Sequence, residues 1–352
     1  MIKIHRKLLA ALAPLALLIA ADSASAQDFP EKAPKPPLGL PKVLWPDDNP
    51  YSKAKAELGW LLYFDKRLSS DETISCASCH AVEKAFTDGA AVSIGIKGQK
   101  GGRSAPTVIN RAYSTLQFWD GRADSLEEQA KGPIANPIEM TLEKEADAAH
   151  KGRIAALKAV PGYVKRFQAA FETDQITIDE VAKAIATFER TVYSGNAPYD
   201  RYQNGDQKAM TESQVRGMNV FFNKAACDSC HLGFNFTDGS YENIGIGMDK
   251  KDPDLGRFIV TGRDDERGAF KTPTLREIEH TGPYMHDGRY RTLEEVVEHY
   301  DRGGIKNKYL DERIKPLNLT KQDKADLVAF MKALSGEGWQ KIKAPTKEQF
   351  PR

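Results

Sequence analysis

Two stretches of the chain place apolar residues at the spacing of one face of a helix. These positions are Val181, Ile185, Phe188 and Val192 in the first stretch, and Leu327, Val328, Phe330, Met331 and Leu334 in the second. Thr320 followed by Asp323 is typical of the N-cap and third residue of the second helix. No stretch alternates apolar and polar residues over the length of a strand. The pattern therefore predicts a mainly α-helical fold.

The N-terminus has the features of a secretory signal peptide. Basic residues precede an apolar run from Leu8 to Ala21 that is short for a membrane-spanning helix, and Ala24-Ser25-Ala26 fits a cleavage site. We therefore expect residues 1–26 to be removed and the mature chain to start near Gln27. An uncleaved membrane anchor is the alternative.

Length and charge limit the remaining possibilities. The chain has 352 residues, enough for about two domains. Loss of Lys3, Arg6, Lys7 and Asp22 with the signal peptide changes the formal net charge from +1 to −1. No basic stripe remains, so we expect no nucleic-acid partner. The proline-rich stretch 30–50 is expected to run extended over the surface, as part of an N-terminal segment, 27–50.

All four cysteines belong to two C-x-x-C-H motifs. The first is Cys76-Ala-Ser-Cys79-His80 and the second is Cys227-Asp-Ser-Cys230-His231. Four cysteines in an exported protein would ordinarily suggest two disulfides, and metal-binding dithiols are another possibility. This spacing instead indicates c-type haem, in which both thiols bond to the haem and the adjacent histidine is the proximal iron ligand. The sequence thus predicts two covalently bound haems.

The two motifs lie in an internal repeat. The sequence Phe-Thr-Asp-Gly follows each motif, at 86–89 and 236–239. Pro106-Thr107, Trp119-Asp-Gly-Arg122 and Leu126-Glu-Glu128 recur at identical intervals as Pro273-Thr274, His286-Asp-Gly-Arg289 and Leu293-Glu-Glu295. We therefore predict two tandem cytochrome c-like haem domains, at 51–195 and 196–345. The Gly-, Asn- and Asp-rich stretch 194–206 is expected to link them.

The motifs resemble those of the bacterial di-haem cytochrome c peroxidase family, in particular the branch that includes MauG. Besides the two haem motifs, the resemblance rests on Gln117-Phe-Trp-Asp-Gly-Arg122, Asn136-Pro-Ile-Glu-Met140 and Pro283-Tyr-Met-His-Asp-Gly288. It covers nearly the whole mature chain. In this family the N-terminal haem reacts with peroxide and the C-terminal haem handles electrons.

The resemblance implies different distal ligands for the two irons. Tyr300 stands where the MauG-like branch has its tyrosine ligand to the second iron, with His299 and Met285 as competing candidates. In the internal alignment Pro133 corresponds to Tyr300, and proline has no ligating atom. We read His150 as a surface residue. The first haem is therefore expected to be five-coordinate through His80, with an open distal side.

The resemblance also implies catalytic and metal-binding groups. Glu139 matches the distal glutamate, Gln129 a distal-pocket glutamine and Trp119 a tryptophan between the haems. An interdomain calcium ion is expected to bind the carbonyls of Thr281 and Pro283. Ser104 replaces the usual asparagine ligand, which weakens this expectation because a hydroxyl is a poorer ligand for a hard cation.

Together these features predict a periplasmic oxidoreductase of the peroxidase class. Hydrogen peroxide would be reduced with electrons from a small periplasmic cytochrome c or copper protein. A MauG-like oxidase that modifies a partner protein is the second interpretation, although Ala225 occupies the position of the surface tryptophan that MauG uses. A passive di-haem electron carrier is the third. Family members are often dimers, but no sequence feature decides the oligomeric state.

Overall fold

The computed structural model describes residues 27–352, and in this part of the chain the regular structure is mainly α-helical, as predicted. The proposed signal peptide lies outside the described residues. The helices are α1 (Lys53–Phe64), α2 (Cys76–Cys79), α3 (Leu126–Ile134), α4 (Ala146–Lys158), α5 (Pro161–Phe171), α6 (Ile178–Glu189), α7 (Pro198–Gln203), α8 (Glu212–Asn219), α9 (Phe258–Thr261), α10 (Leu293–Asp301) and α11 (Lys321–Lys332). None of these helices is long and apolar enough to cross a membrane.

Strands are few and short in residues 27–352. Strand β1 (Ser194–Gly195) pairs antiparallel with β4 (Glu337–Gly338), and β2 (Tyr241–Glu242) pairs antiparallel with β3 (Phe270–Lys271). The absence of an alternating pattern in the sequence is thus explained, because each strand has only two residues.

The apolar helix faces predicted from the sequence are buried in two corresponding pairs of packed helices. Helix α6 packs on α1, and its N-terminus is closed by a capping box between Thr177 and Glu180. Helix α11 packs on α8, and the predicted cap is present as a capping box between Thr320 and Asp323. In each pair a glycine allows the backbones to approach closely: a Cβ on Gly59 or Gly217 would lie 1.8 Å from a carbonyl oxygen of the facing helix.

The core consists of two hydrophobic clusters. The first is built around α1 and α6, and the second around α8 and α11. The C-terminal segment returns to the first cluster, where Ile342 is buried and Trp339 packs partly buried. The indole of Trp60 donates a hydrogen bond to the carbonyl of Lys343 at 2.8 Å. Part of the predicted second domain, 196–345, therefore packs on the cluster of the first, 51–195. The division between the two domains stays a prediction.

The stretch 194–206, expected to be a linker, is ordered by specific contacts. It contains β1 and α7, and α7 begins with Pro198 at its first position. Asp200 is buried and forms an ion pair with buried Arg276 through contacts of 2.6 and 2.8 Å. Sequence composition could not reveal this pair, because its two members lie far apart in the chain. Residues 30–50 contain turns but no helix or strand.

Corresponding positions of the repeat share backbone geometry. An isolated bridge joins Gln117 to Ala123 in the first half and Tyr284 to Tyr290 in the second. Within these bridges Phe118 and Met285 have the positive φ values 67° and 73°. Such values are uncommon for residues other than glycine. Their recurrence at matched positions supports the internal repeat.

We predict that Gly59→Ala destabilises the protein by about 1–3 kcal/mol, because the added methyl group overlaps the Ala184 carbonyl on α6. Gly152→Ala is the matched control on α4. There the new Cβ would lie at an ordinary contact distance of 3.4 Å from the Glu143 carboxylate, and alanine is the better helix former. Thermal unfolding of the two variants checks this. Equal melting temperatures would contradict the close helix packing.

Candidate functional site

The first C-x-x-C-H motif forms the short helix α2, which presents both thiols and the following histidine to one cavity. The cavity is lined by Cys76, Cys79 and His80 and has a volume of about 570 Å³. Nδ1 of His80 lies 3.3 Å from the carbonyl oxygen of Phe86. A donor bond from Nδ1 to a carbonyl fixes the tautomer and leaves Nε2 free to bind a metal.

The second motif repeats this arrangement. Cys227, Cys230 and His231 line a second cavity of about 230 Å³, and Nδ1 of His231 lies 3.0 Å from the carbonyl oxygen of Phe236. Burial lowers the pKa of both histidines, which favours the neutral, metal-binding imidazole.

The four cysteines lie in pairs beside the two cavities. All are free, so the structure contains no disulfide between them. Burial raises the pKa of the Cys79 thiol to about 11 and that of Cys227 to about 12. Each pair lines a cavity together with its histidine, an arrangement that could hold a porphyrin at one edge.

Helices α3 and α10 occupy matching places beside the two cavities. They begin after the corresponding N-caps Ser125 and Thr292. Pro133 lines the first cavity and Tyr300 lines the second. The two helices thus place a residue without a ligating atom beside the first cavity, and a phenol beside the second.

The structure separates the competing ligand candidates of the second cavity. His299 is buried, and both its ring nitrogens are used: Nδ1 lies 3.1 Å from the Tyr290 hydroxyl, and Nε2 lies 3.1 Å from the Ile244 carbonyl. It does not line the cavity, whereas Tyr300 and Met285 both do. Burial raises the pKa of Tyr300 well above its usual value, so only a bound cation would make it a phenolate.

Glu139 lines the first cavity and is held on two sides. Asn136 Nδ2 donates to the Glu139 carboxylate at 2.7 Å, and the backbone carbonyl of Glu139 accepts from the backbone N–H of Ile96 at 2.9 Å. Burial raises its pKa, although Arg122 and Asn136 act in the opposite direction. A carboxyl group with a raised pKa is better suited than an ordinary one to both accept and release a proton.

Further polar groups surround the same cavity. Gln129, on α3, lines it. Arg122 also lines it and lies 3.5 Å above the ring of Phe118. Arg122 and Asn136 were not singled out from the sequence, although both lie inside the quoted motifs. His150, read from the sequence as a surface residue, is half-buried and lines neither cavity, and its Nε2 lies 3.1 Å from the Lys131 carbonyl.

Trp119 lies in the wall between the two cavities and lines both. Its indole N–H donates to the Ser104 carbonyl at 2.9 Å, and its own carbonyl accepts from the backbone N–H of Lys271 at 2.8 Å. The ring is therefore fixed by residues from both halves of the chain.

The residues predicted to bind calcium lie at the second cavity. Ser104, Thr281 and Pro283 all line the second cavity. None of the three is a carboxylate, so a cation there would have only neutral oxygen ligands from this set. Such a site would be weak, because charged ligands set much of the affinity for calcium.

Sequence comparisons agree with these observations. Residues 53–208 match the family described as di-haem cytochrome c peroxidase. The methylamine utilization protein MauG of Methylorubrum extorquens is 41% identical over 295 residues, which cover 83% of this chain and 81% of MauG. The cytochrome c551 peroxidase of Nitrosomonas europaea is 39% identical over 291 residues, or 82% of each chain.

A solved structure shows a similar fold over nearly the whole chain. It is that of a MauG-like protein associated with microbial copper homeostasis, which is 35% identical, with a TM-score of 0.78. The match covers 92% of this chain and 97% of the other. The paired haem motifs, the two cavities and these relatives lead to one conclusion: the chain belongs to the di-haem cytochrome c peroxidase family, which includes MauG.

Proposed function

We propose that this protein is a periplasmic peroxidase that reduces hydrogen peroxide to two waters, using two electrons and two protons. The family is di-haem, so each cavity is assigned one haem. The Cys76–Cys79 and Cys227–Cys230 pairs would attach the haems covalently, and His80 and His231 would be the proximal ligands. When bound, the haems supply redox-active iron. The observation that carries the proposal is the contrast between Pro133 beside the first cavity and Tyr300 beside the second.

The residues around the first cavity are suited to peroxide cleavage. Breaking the O–O bond requires a proton to move from the inner to the outer oxygen, and polar groups must stabilise the departing hydroxide. Glu139 would carry the proton, since burial raises its pKa. Gln129 would orient peroxide or water through its amide.

The haem assigned to the second cavity would store and deliver electrons. A tyrosinate ligand is hard and anionic, so Tyr300 would favour the oxidised state of the second site. Trp119, in the shared wall, would relay electrons between the two sites. Electrons would come from a small periplasmic cytochrome c or copper protein. We also propose that a calcium ion binds at Ser104, Thr281 and Pro283. Measurement of the calcium content of the protein before and after chelation tests this.

A MauG-like oxidation of a partner protein is the second candidate, favoured by the identity to MauG. Ala225 argues against an electron route like that of MauG, which uses a surface tryptophan at this position. Its side chain is buried beside the second cavity, and it offers no aromatic ring. Identification of a protein whose oxidation requires this chain would favour this candidate over the peroxidase.

We predict that Glu139→Gln lowers peroxide turnover by about 10²–10⁴-fold, because the amide cannot exchange a proton. In the wild type the rate should fall with acidification below an apparent pKa that lies above 4.5, since the carboxylate must accept the proton and its pKa is raised. The variant should lack this acid limb. Glu128→Gln, an exposed carboxylate on α3, is the control. Full turnover in Glu139→Gln would refute the assignment.

We predict that Tyr300→Phe changes the ligation of the second haem and raises its reduction potential, because an anionic ligand is lost. Optical and EPR spectra of the oxidised protein measure the first effect. Tyr284→Phe, in the same cavity, should leave the spectra unchanged, as should Met285→Leu. A spectral change in Met285→Leu with none in Tyr300→Phe would assign the ligand to the thioether.

A further inference from the structure

The wall between the two cavities contains two buried cations that the proposed reaction does not use. Arg111 is 9% exposed and lines both cavities. Lys271 is 6% exposed and lines the second. Burial of a charged side chain is costly unless the charge is paired and hydrogen-bonded, so each group requires a partner.

Within residues 27–352 neither cation has a carboxylate partner. Arg111 donates from Nε and Nη2 to the neutral amide oxygen of Gln117, at 3.0 and 2.5 Å. The ammonium group of Lys271 makes no hydrogen bond or ion pair in this part of the chain. Both groups therefore line the second cavity without a carboxylate partner.

The surroundings disfavour the charged form of both groups as long as no anion binds beside them. Burial lowers the pKa of Lys271 well below its usual value, and the charge of Arg111 lowers it further. Burial lowers the pKa of Arg111 to about 10. The carboxyl group of Glu189 also acts on Arg111, but burial raises its own pKa to about 8, so it is mainly neutral at pH 7.

Two arginines at the cavities are already neutralised, and Lys315, which lines the second cavity, is exposed to solvent. Arg313 lines the second cavity on the side of Cys230 and pairs with Asp311 and Glu242, at 2.8 and 3.1 Å. Arg103 lines the first cavity and pairs with Asp120 and Asp254, both at 2.6 Å. These pairs leave no free charge for a ligand, unlike Arg111 and Lys271.

A haem bound through two thioethers at one edge carries two propionate carboxylates at the opposite edge. We propose that Arg111 and Lys271 bind these propionates. Lys271 would bind a propionate of the second haem. Arg111, which lines both cavities, would bind a propionate of either haem that reaches the wall between them. This inference rests on the haem occupancy assigned under the proposed function. Charge-assisted hydrogen bonds of this kind are among the stronger polar contacts in proteins.

The contact would also connect cofactor binding to the relay residue. The backbone N–H of Lys271 donates to the carbonyl of Trp119, so a propionate that holds the Lys271 side chain also fixes the strand that holds Trp119. Binding of the second haem would thereby order the wall between the two sites.

The proposal is tested in the holoprotein with the variants Lys271→Met and Lys271→Arg. Lys315→Met is the matched control. Lys315 is an exposed lysine that lines the same cavity. Haem content is measured first in the wild type. Resonance Raman propionate bands and the potential of each haem in a spectroelectrochemical titration are then measured in every variant.

We expect Lys271→Met to shift the propionate bands and to disfavour reduction of the second haem at least tenfold, or about 59 mV for one electron. Removal of a cation leaves the propionate charge unscreened, which favours the oxidised iron. Lys271→Arg and Lys315→Met should stay close to wild type. If the methionine variant yields no holoprotein, a wild-type-like Lys271→Arg variant supports the proposal.

Bands and potentials in Lys271→Met that match those of Lys315→Met would overturn the proposal. So would a Lys271→Arg variant as altered as Lys271→Met, because the charge would then not matter. A wild-type protein with fewer than two haems would contradict the proposed function itself, which separates the two failures.

Discussion

The hydrogen bonds that fix Trp119 hold together the region on which the proposed activity depends. Its indole donates to the Ser104 carbonyl, and its carbonyl accepts from Lys271 in the second half of the chain. Ser104 in turn donates its backbone N–H to the His286 carbonyl at 2.7 Å. Arg257 adds bonds to the carbonyls of Asp120 and Gly121. A rigid wall with an aromatic ring at its centre therefore separates two cavities that each contain a C-x-x-C-H motif.

The two halves use the same local geometry around different side chains. His80 and His231 are both oriented by a carbonyl oxygen, and both cavities lie beside a helix capped by Ser125 or Thr292. At matching places in this common frame, Pro133 lines the first cavity and Tyr300 lines the second. Under the proposed function, this difference would leave one site open to substrate and give the other a protein ligand, without a change of fold.

The sequence predicted the features that depend on local patterns. Helix α11 and its Thr320 cap, and the pairing of cavities with the two motifs, follow from spacing and repetition. The sequence did not predict contacts between distant residues: the Asp200–Arg276 ion pair that orders the stretch 194–206, or Ile342 packed on the first cluster. The sequence also could not show that Arg111 and Lys271 are buried, or that no carboxylate within residues 27–352 forms an ion pair with either of them.

The proposed activity requires the first site to be open in the fully oxidised protein. A rapid-mixing titration of the oxidised holoprotein with hydrogen peroxide in the absence of reductant, followed by absorption and EPR spectroscopy, tests this requirement. We expect a fast spectral change that consumes one equivalent of peroxide, since Pro133 provides no ligand. No reaction until one electron is added would show that the first iron has a distal protein ligand, and would contradict the proposed open site.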